Sequence, residues 1–303
     1  MVWQWLIRSW IQQAASQKLH EVAHEALREH QEGHQQEMAS AESSEPPECD
    51  VGIVYALNIE LGGLEDRLQG KRKFKGSGFL VRYGTIDGRR VALLESGPGR
   101  EAAAHGTAAL IAGHQPKWIV SAGFGGGLVE PLKKRHFLLA QEIMDLQGGR
   151  ISVDFKISPS ALQATPYVHL GRLLTVDSIV RTSADKRRLA EAHEAQAVDM
   201  ETYAVADVCR QAGVKFMSVR IISDAVTEEL PPEVENLFQQ KTMAGKVGAA
   251  VGAIFHRPSS LKDLWQLKED AIVASEKLAT FLQGVIGQLA PAAEAPSQSS
   301  NES

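Results

Sequence analysis

Three short apolar runs constrain this chain most: Val51-Gly52-Ile53-Val54-Tyr55-Ala56, Trp118-Ile119-Val120-Ser121 and Phe216-Met217-Ser218-Val219. Each is short for a helix and lacks the alternation of a strand with one wet face. Each therefore reads as a strand covered on both sides, as in a parallel sheet. Helical patterns lie between them. One runs through Glu60, Leu61, Leu64 and Leu68, a second is the alanine-rich stretch Glu101 to Ala112, and a third, opened by Glu201, places Ala204, Val205, Val208 and Cys209 on one side. This alternation predicts an α/β fold, a mixed sheet covered by helices. Val81 to Tyr83 and Val91 to Leu94 are expected to form a hairpin about Ile86-Asp87-Gly88-Arg89. The middle, Phe137 to Asp177, reads as less regular, and helices are expected to finish the chain.

Around this core the composition shifts. Residues 1–38 are rich in Gln, Glu, His and Ala and read as a helical extension; 39–49, with Ser40 to Pro47, read as a linker. A catalytic domain is expected over 50–290. The tail 291–303 is too poor in apolar residues to order itself. A net charge of -5 argues against a nucleic-acid partner, which calls for clustered Lys and Arg on one face. Two cysteines, Cys49 and Cys209, are too few for a disulfide framework or a structural zinc site and fit a reducing, cytoplasmic setting. The sequence contains neither a signal-peptide pattern nor eighteen consecutive apolar residues.

The chemistry concentrates in two segments. Ala197-Val198-Asp199-Met200-Glu201-Thr202 places Glu201 at the start of a helix, and Val219-Arg220-Ile221-Ile222-Ser223-Asp224 places Asp224 at the carboxyl end of a buried strand. Ligands of open α/β sheets bind at such ends. A pair of carboxylates there suits acid-assisted cleavage of a sugar–base bond. The run Ala122-Gly123-Phe124-Gly125-Gly126-Gly127 implies that backbone approaches another group closely.

Four segments, in order from about Val51 to Asp224, resemble the nucleoside phosphorylase and nucleosidase superfamily, most closely its methylthioadenosine/S-adenosylhomocysteine nucleosidase branch. They are Val51 to Val54 with Ala56 to Glu60, Glu95-Ser96-Gly97-Pro98-Gly99, Ser121 to Leu128, and the two carboxylate segments. The resemblance implies a three-layer α/β/α fold, usually homodimeric or larger, that hydrolyses the N-glycosidic bond of a purine nucleoside without metal or organic cofactor.

By the same resemblance, Asp224 occupies the position of the general acid that protonates the purine ring nitrogen. That role requires a proton near neutral pH, and so burial or a neighbouring negative charge. Glu201 and Met200 fall where the family holds the ribose, and Glu60 where it activates water. A carboxylate beside the sugar also stabilises an oxocarbenium-like transition state. Ser96 and Gly97 are expected to hold water or ribose, and Ser223 to bind substrate beside Asp224. The sequence departs from the family in three places. Asn58 and Ile59 precede Glu60 in place of further acidic residues. Ile179, next to Val180, stands where relatives stack an aromatic on the base. Phe124 replaces a small residue and either supplies another aromatic wall or fills core.

Competing readings are a phosphorylase on the same fold, with Arg100 as the one nameable phosphate ligand, relatives acting on futalosine or adenosyl-hopane intermediates, and a nucleoside-binding protein without catalysis. The loop Gly97-x-Gly99-x-x-Ala102 is a poor dinucleotide fingerprint, because Ser121 stands where an acidic residue is expected. His20-Glu21-Val22-Ala23-His24 matches a zinc-protease signature but lies outside the core segments, and is read as accidental. Trp3, Trp5, Leu6, Ile7 and Trp10 are read as a docking or oligomer contact, with weak membrane association of residues 1–38 as the alternative.

Overall fold

The computed structural model describes residues 48–231 except 156 and 158, together with Val234 and residues 259–289. The expected extension over 1–38, most of the linker, the tail, the tryptophan cluster and the His20–His24 motif lie outside the described residues. Among the described residues, ten strands form one mixed sheet. At its centre lie β1 (Val51–Tyr55) and β5 (Trp118–Gly127), paired in parallel, with β10 (Lys215–Asp224) parallel to β5 along its whole length. The three apolar runs of the sequence are therefore neighbours, and their side chains fill the core: Val51, Ile53, Val120, Val219 and Ile221 are fully enclosed.

From β1 the sheet extends through β4 (Arg89–Glu95), β3 (Leu80–Ile86) and the edge strand β2 (Gln69–Lys75). The β3–β4 hairpin turns at Asp87 and Gly88, both at positive φ, as a tight two-residue turn demands. On the other side β10 pairs antiparallel with β6 (Phe137–Asp145), which carries the short β7 (Arg150–Ser152). Next come β8 (Val168–Thr175) and β9 (Ala197–Asp199), and β9 returns to the end of β5. Strands β5, β10, β6, β8 and β9 thus close a circuit.

Helices cover both faces. On one lie α1 (Asn58–Asp66) and the long α6 (Ser259–Leu289), on the other α2 (Arg100–His114) and α5 (Thr202–Ala212). A short α3 (Pro159–Ala164) precedes β8, and α4 (Ser183–His193) connects β8 to β9. Ala274, Leu278, Leu282, Val285 and Ile286 form the buried stripe of α6, at the three- and four-residue spacing that keeps one face on the core. Arg67, which caps α1, reaches Thr280 and Gln283 of α6 and pairs with Glu276. No described helix is long and apolar enough to cross a membrane.

Two expectations are corrected. The segment Phe137–Asp177 is regular: it supplies β6, β7, α3 and β8. Polar residues such as Gln141, Glu142, His169 and Arg172, together with a register shift between Ala140 and Glu142, disguise its strand period. The first helix ends at Asp66, so Leu68 packs from the loop, and the helix is kinked at Leu61, whose φ of -125° is not helical.

Candidate active site

Glu60, Glu201 and Asp224 arrive from three places in the chain at one cavity of about 380 Å³ above the carboxyl ends of β1, β5, β9 and β10. Its wall is largely apolar, from Phe124, Val176, Ile179, Val180, Met200 and Ile222. A larger groove of about 970 Å³ between α6 and strands β6 and β8 contains none of the three carboxylates.

Glu60 stands in the first turn of α1 and is buried. Its Oε2 accepts from the backbone N–H of Ala56 (2.9 Å) and Leu57 (2.8 Å), and its Oε1 from that of Phe124 (2.9 Å). Gly123 allows this approach, because a Cβ there would stand 2.5 Å from Glu60 Oε1. Burial raises the pKa of Glu60, opposed by these amides and by the Arg220 charge. The group is thus a better proton acceptor than a solvated glutamate.

Glu201 caps α5, and its Oε1 accepts from the N–H of Gly99 at 2.8 Å, joining the glycine loop after β4 to the start of α5. Its pKa is pushed up to about 8, first by burial and then by the neighbouring Asp199.

Beneath Glu201 lies a buried network that sequence reading missed. Arg220, 2% exposed on β10, donates from Nε (3.0 Å) and Nη2 (2.8 Å) to Asp199 Oδ2, and from Nη2 to Ser121 Oγ (2.9 Å) and Thr202 Oγ1 (2.7 Å). Asp199 also accepts from Thr175 Oγ1 (2.7 Å) and the Thr202 N–H (2.9 Å). An arginine within Phe216-Met217-Ser218-Val219-Arg220-Ile221-Ile222 was the available signal, since a buried guanidinium needs a partner.

Asp224 ends β10, where an extra residue between Ile222 and Asp224 shifts the register against Gly125 and Gly126 of β5. Such a bulge re-aims a side chain. Asp224 Oδ1 accepts from Ser223 Oγ at 2.5 Å, and Oδ2 lies 2.5 Å from Lys186 Nζ. The burial expected of this acid is present, at 5% exposure, and the charge beside Asp224 is a cation, contributed by a helix that sequence reading left unassigned. Lys186 itself is fully enclosed and donates to the carbonyls of Ala225 (2.8 Å) and Glu228 (2.7 Å).

Of the remaining candidates, Met200, Ile179, Val180, Phe124 and Ser223 line the cavity. Ser96 and Gly97 do not; the Ser96 hydroxyl is buried against the carbonyls of Tyr55 (3.2 Å) and Gly97 (2.8 Å), and Pro98 is the loop residue in the wall. Asp177 is turned to Arg100, with Oδ1 2.9 Å from Nε. The Arg100 guanidinium further donates to the Thr175 carbonyl (2.8 Å) and lies 3.5 Å from Asp145. At the mouth, Asp270 of α6 binds Lys134 (3.0 Å) and Arg135 (2.7 Å), and all three residues belong to the wall.

The family model described as the phosphorylase superfamily matches residues 50–255. Among solved structures, a 5′-methylthioadenosine/S-adenosylhomocysteine nucleosidase from S. pneumoniae, with a transition-state inhibitor, is 20% identical with a TM-score of 0.61, over 80% of this chain and 100% of that one. The Helicobacter pylori nucleosidase of the same name is 19% identical, with a TM-score of 0.60, over 80% and 99%. The futalosine hydrolase of Helicobacter pylori is 18% identical, with a TM-score of 0.59, over 79% and 98%. At these identities the likeness establishes a common fold.

Proposed function

The chain belongs to the phosphorylase superfamily, and from that premise we propose that it hydrolyses the N-glycosidic bond of a purine nucleoside of the methylthioadenosine/S-adenosylhomocysteine type. The observation that carries the reading is the convergence of Glu60, Glu201 and Asp224 on one mostly apolar cavity. Asp224 gives its proton to a ring nitrogen of the base, so that the base leaves as a neutral heterocycle carrying the electron pair of the broken bond. Met200 packs against the sugar and Glu201 holds its hydroxyls. Glu60 takes a proton from water as the water oxygen bonds to that carbon. Phe124 and Ile179 border the base, with Phe124 replacing the missing aromatic at 179.

Water is favoured over phosphate as nucleophile because Glu60, an acidic group on the cavity wall, repels a phosphate dianion. Arg100, the cation considered for phosphate, is engaged by Asp177, Asp145 and the Thr175 carbonyl. The similarity to a futalosine hydrolase keeps other 5′ substituents within the substrate class. The test is release of free base from methylthioadenosine, S-adenosylhomocysteine, adenosine, inosine and futalosine, with and without phosphate. Release without phosphate is expected. Strict dependence on phosphate, with a sugar-1-phosphate product, makes the protein a phosphorylase, and recovery of every nucleoside unchanged makes it a binding protein.

A further inference from the structure

Lys186 is an anomaly by physical chemistry: a lysine with no exposed surface, the largest side chain so enclosed among the described residues, in the first turn of a helix whose N-cap is Thr182. Enclosing an ammonium is costly unless its donors are engaged. Here they are engaged at a single place. Two hydrogen bonds go to the carbonyls of Ala225 and Glu228, the residues immediately beyond β10, and the remaining contact is Asp224 Oδ2 at 2.5 Å. The turn is closed by Glu228, whose Oε2 accepts from the Ala225 N–H at 2.8 Å, and two residues beyond it Leu230 enters the cavity wall.

We propose that Lys186 is the positioning residue of the site: it fixes Asp224 and the turn behind it against the cavity, and receives the Asp224 carboxylate as an ion pair once the proton has passed to the base. The inference rests on the nucleosidase reading for its chemistry, but its structural content, an ammonium acting on Asp224, does not. A neutral tether would need only the two carbonyl contacts. The third contact adds an electrostatic function, because a cation beside the carboxyl stabilises the ionised form.

Several charged groups among the described residues surround this pair. On the loop beyond β10 stands Glu228, which also lies 3.3 Å from Lys134. Lys134 and Arg135, preceding β6, are themselves paired to Asp270 of α6. On α4, Asp185 is held by Thr182 and Arg188. Glu60 and Glu201 line the same cavity.

The deciding experiment is a titration of the Asp224 carboxyl by carbon NMR in the full chain labelled at aspartate, with the signal assigned by its loss in Asp224→Asn. Lys186→Gln keeps a donor for the carbonyls and removes the charge; Lys186→Met removes both, and Lys186→Arg keeps the charge. The Asp224 midpoint is expected to rise in Lys186→Gln, which removes the cation 2.5 Å from Oδ2, and to stay near the wild-type value in Lys186→Arg. An unchanged midpoint in Lys186→Gln overturns the proposal, and that variant remains decisive if Lys186→Met does not fold. In base release, the pH at which the rate falls as Asp224 loses its proton should move up by the same amount. A wild-type protein that releases no base refutes the nucleosidase reading, whereas the NMR midpoint still decides the role of Lys186.

Discussion

Gly123 and Glu60 share one space: the carboxylate of Glu60 occupies the position that a side chain at residue 123 would fill, with Oε1 2.5 Å from an ideal Cβ. The carboxylate cannot retreat without releasing the amides of Ala56, Leu57 and Phe124. The glycine-rich end of β5 is therefore the seat of a buried acid.

Replacing Gly123 by Ala should displace Glu60 and cost roughly 1–3 kcal/mol through overpacking. Because the displaced group is the proposed base, turnover should fall much more than stability does. A melting curve and kcat measured on the same preparation check this; a variant with full turnover would show that Glu60 need not hold its place.

The Arg220–Asp199 pair should behave as a buried ion pair with further hydrogen bonds. Arg220→Met leaves Asp199 buried without its cation, and breaking such a pair costs roughly 3–5 kcal/mol. Denaturant unfolding measures the loss. The double variant Arg220→Met with Asp199→Asn should recover part of it, since no uncompensated charge remains.

Glu201 makes stability depend on pH. Its folded pKa, pushed up to about 8, lies above the ordinary value of 4.5, so between these values the folded state binds more protons than the unfolded one. Its contribution is thus fully present below about 4.5 and is lost as pH rises through about 8. In Glu201→Gln, which cannot ionise, the fall in melting temperature from pH 5 to pH 9 should be shallower. Each kcal/mol recovered at pH 9 raises the melting temperature by roughly 2–4 °C. Identical slopes in the two proteins would exclude ionisation of Glu201 as the cause.

The parts of this molecule legible in sequence are those that one segment encodes alone. The apolar runs of β1, β5 and β10 announce buried strands, Asp87-Gly88 announces a hairpin, and Asp224 and Glu201 stand at element ends where local pattern places them. The supports of these residues were hidden because they come from distant segments. Lys186 reaches Asp224 across 38 positions, Asp270 reaches Lys134 across 136, and the bulge before Asp224 has no compositional mark. The edge strand β2, Gln-Gly-Lys-Arg-Lys-Phe-Lys, was hidden for another reason: it is exposed along its length, so no apolar period marks it, and its lysines suit an edge that must not pair with other chains. Ser96 was misplaced because a sequence cannot say whether a hydroxyl faces a cavity or a carbonyl.

The central claim is that Asp224 supplies a proton to the leaving base while Glu60 activates water, and one comparison tests both. Wild type, Asp224→Asn and Glu60→Gln are assayed on methylthioadenosine and on p-nitrophenyl riboside, whose leaving group departs without protonation. Asp224→Asn should lose ~10²- to 10⁴-fold on the nucleoside and retain most of its rate on the nitrophenyl riboside, whereas Glu60→Gln should lose both. Hydrolysis of the nucleoside by Asp224→Asn at the wild-type rate would contradict the account.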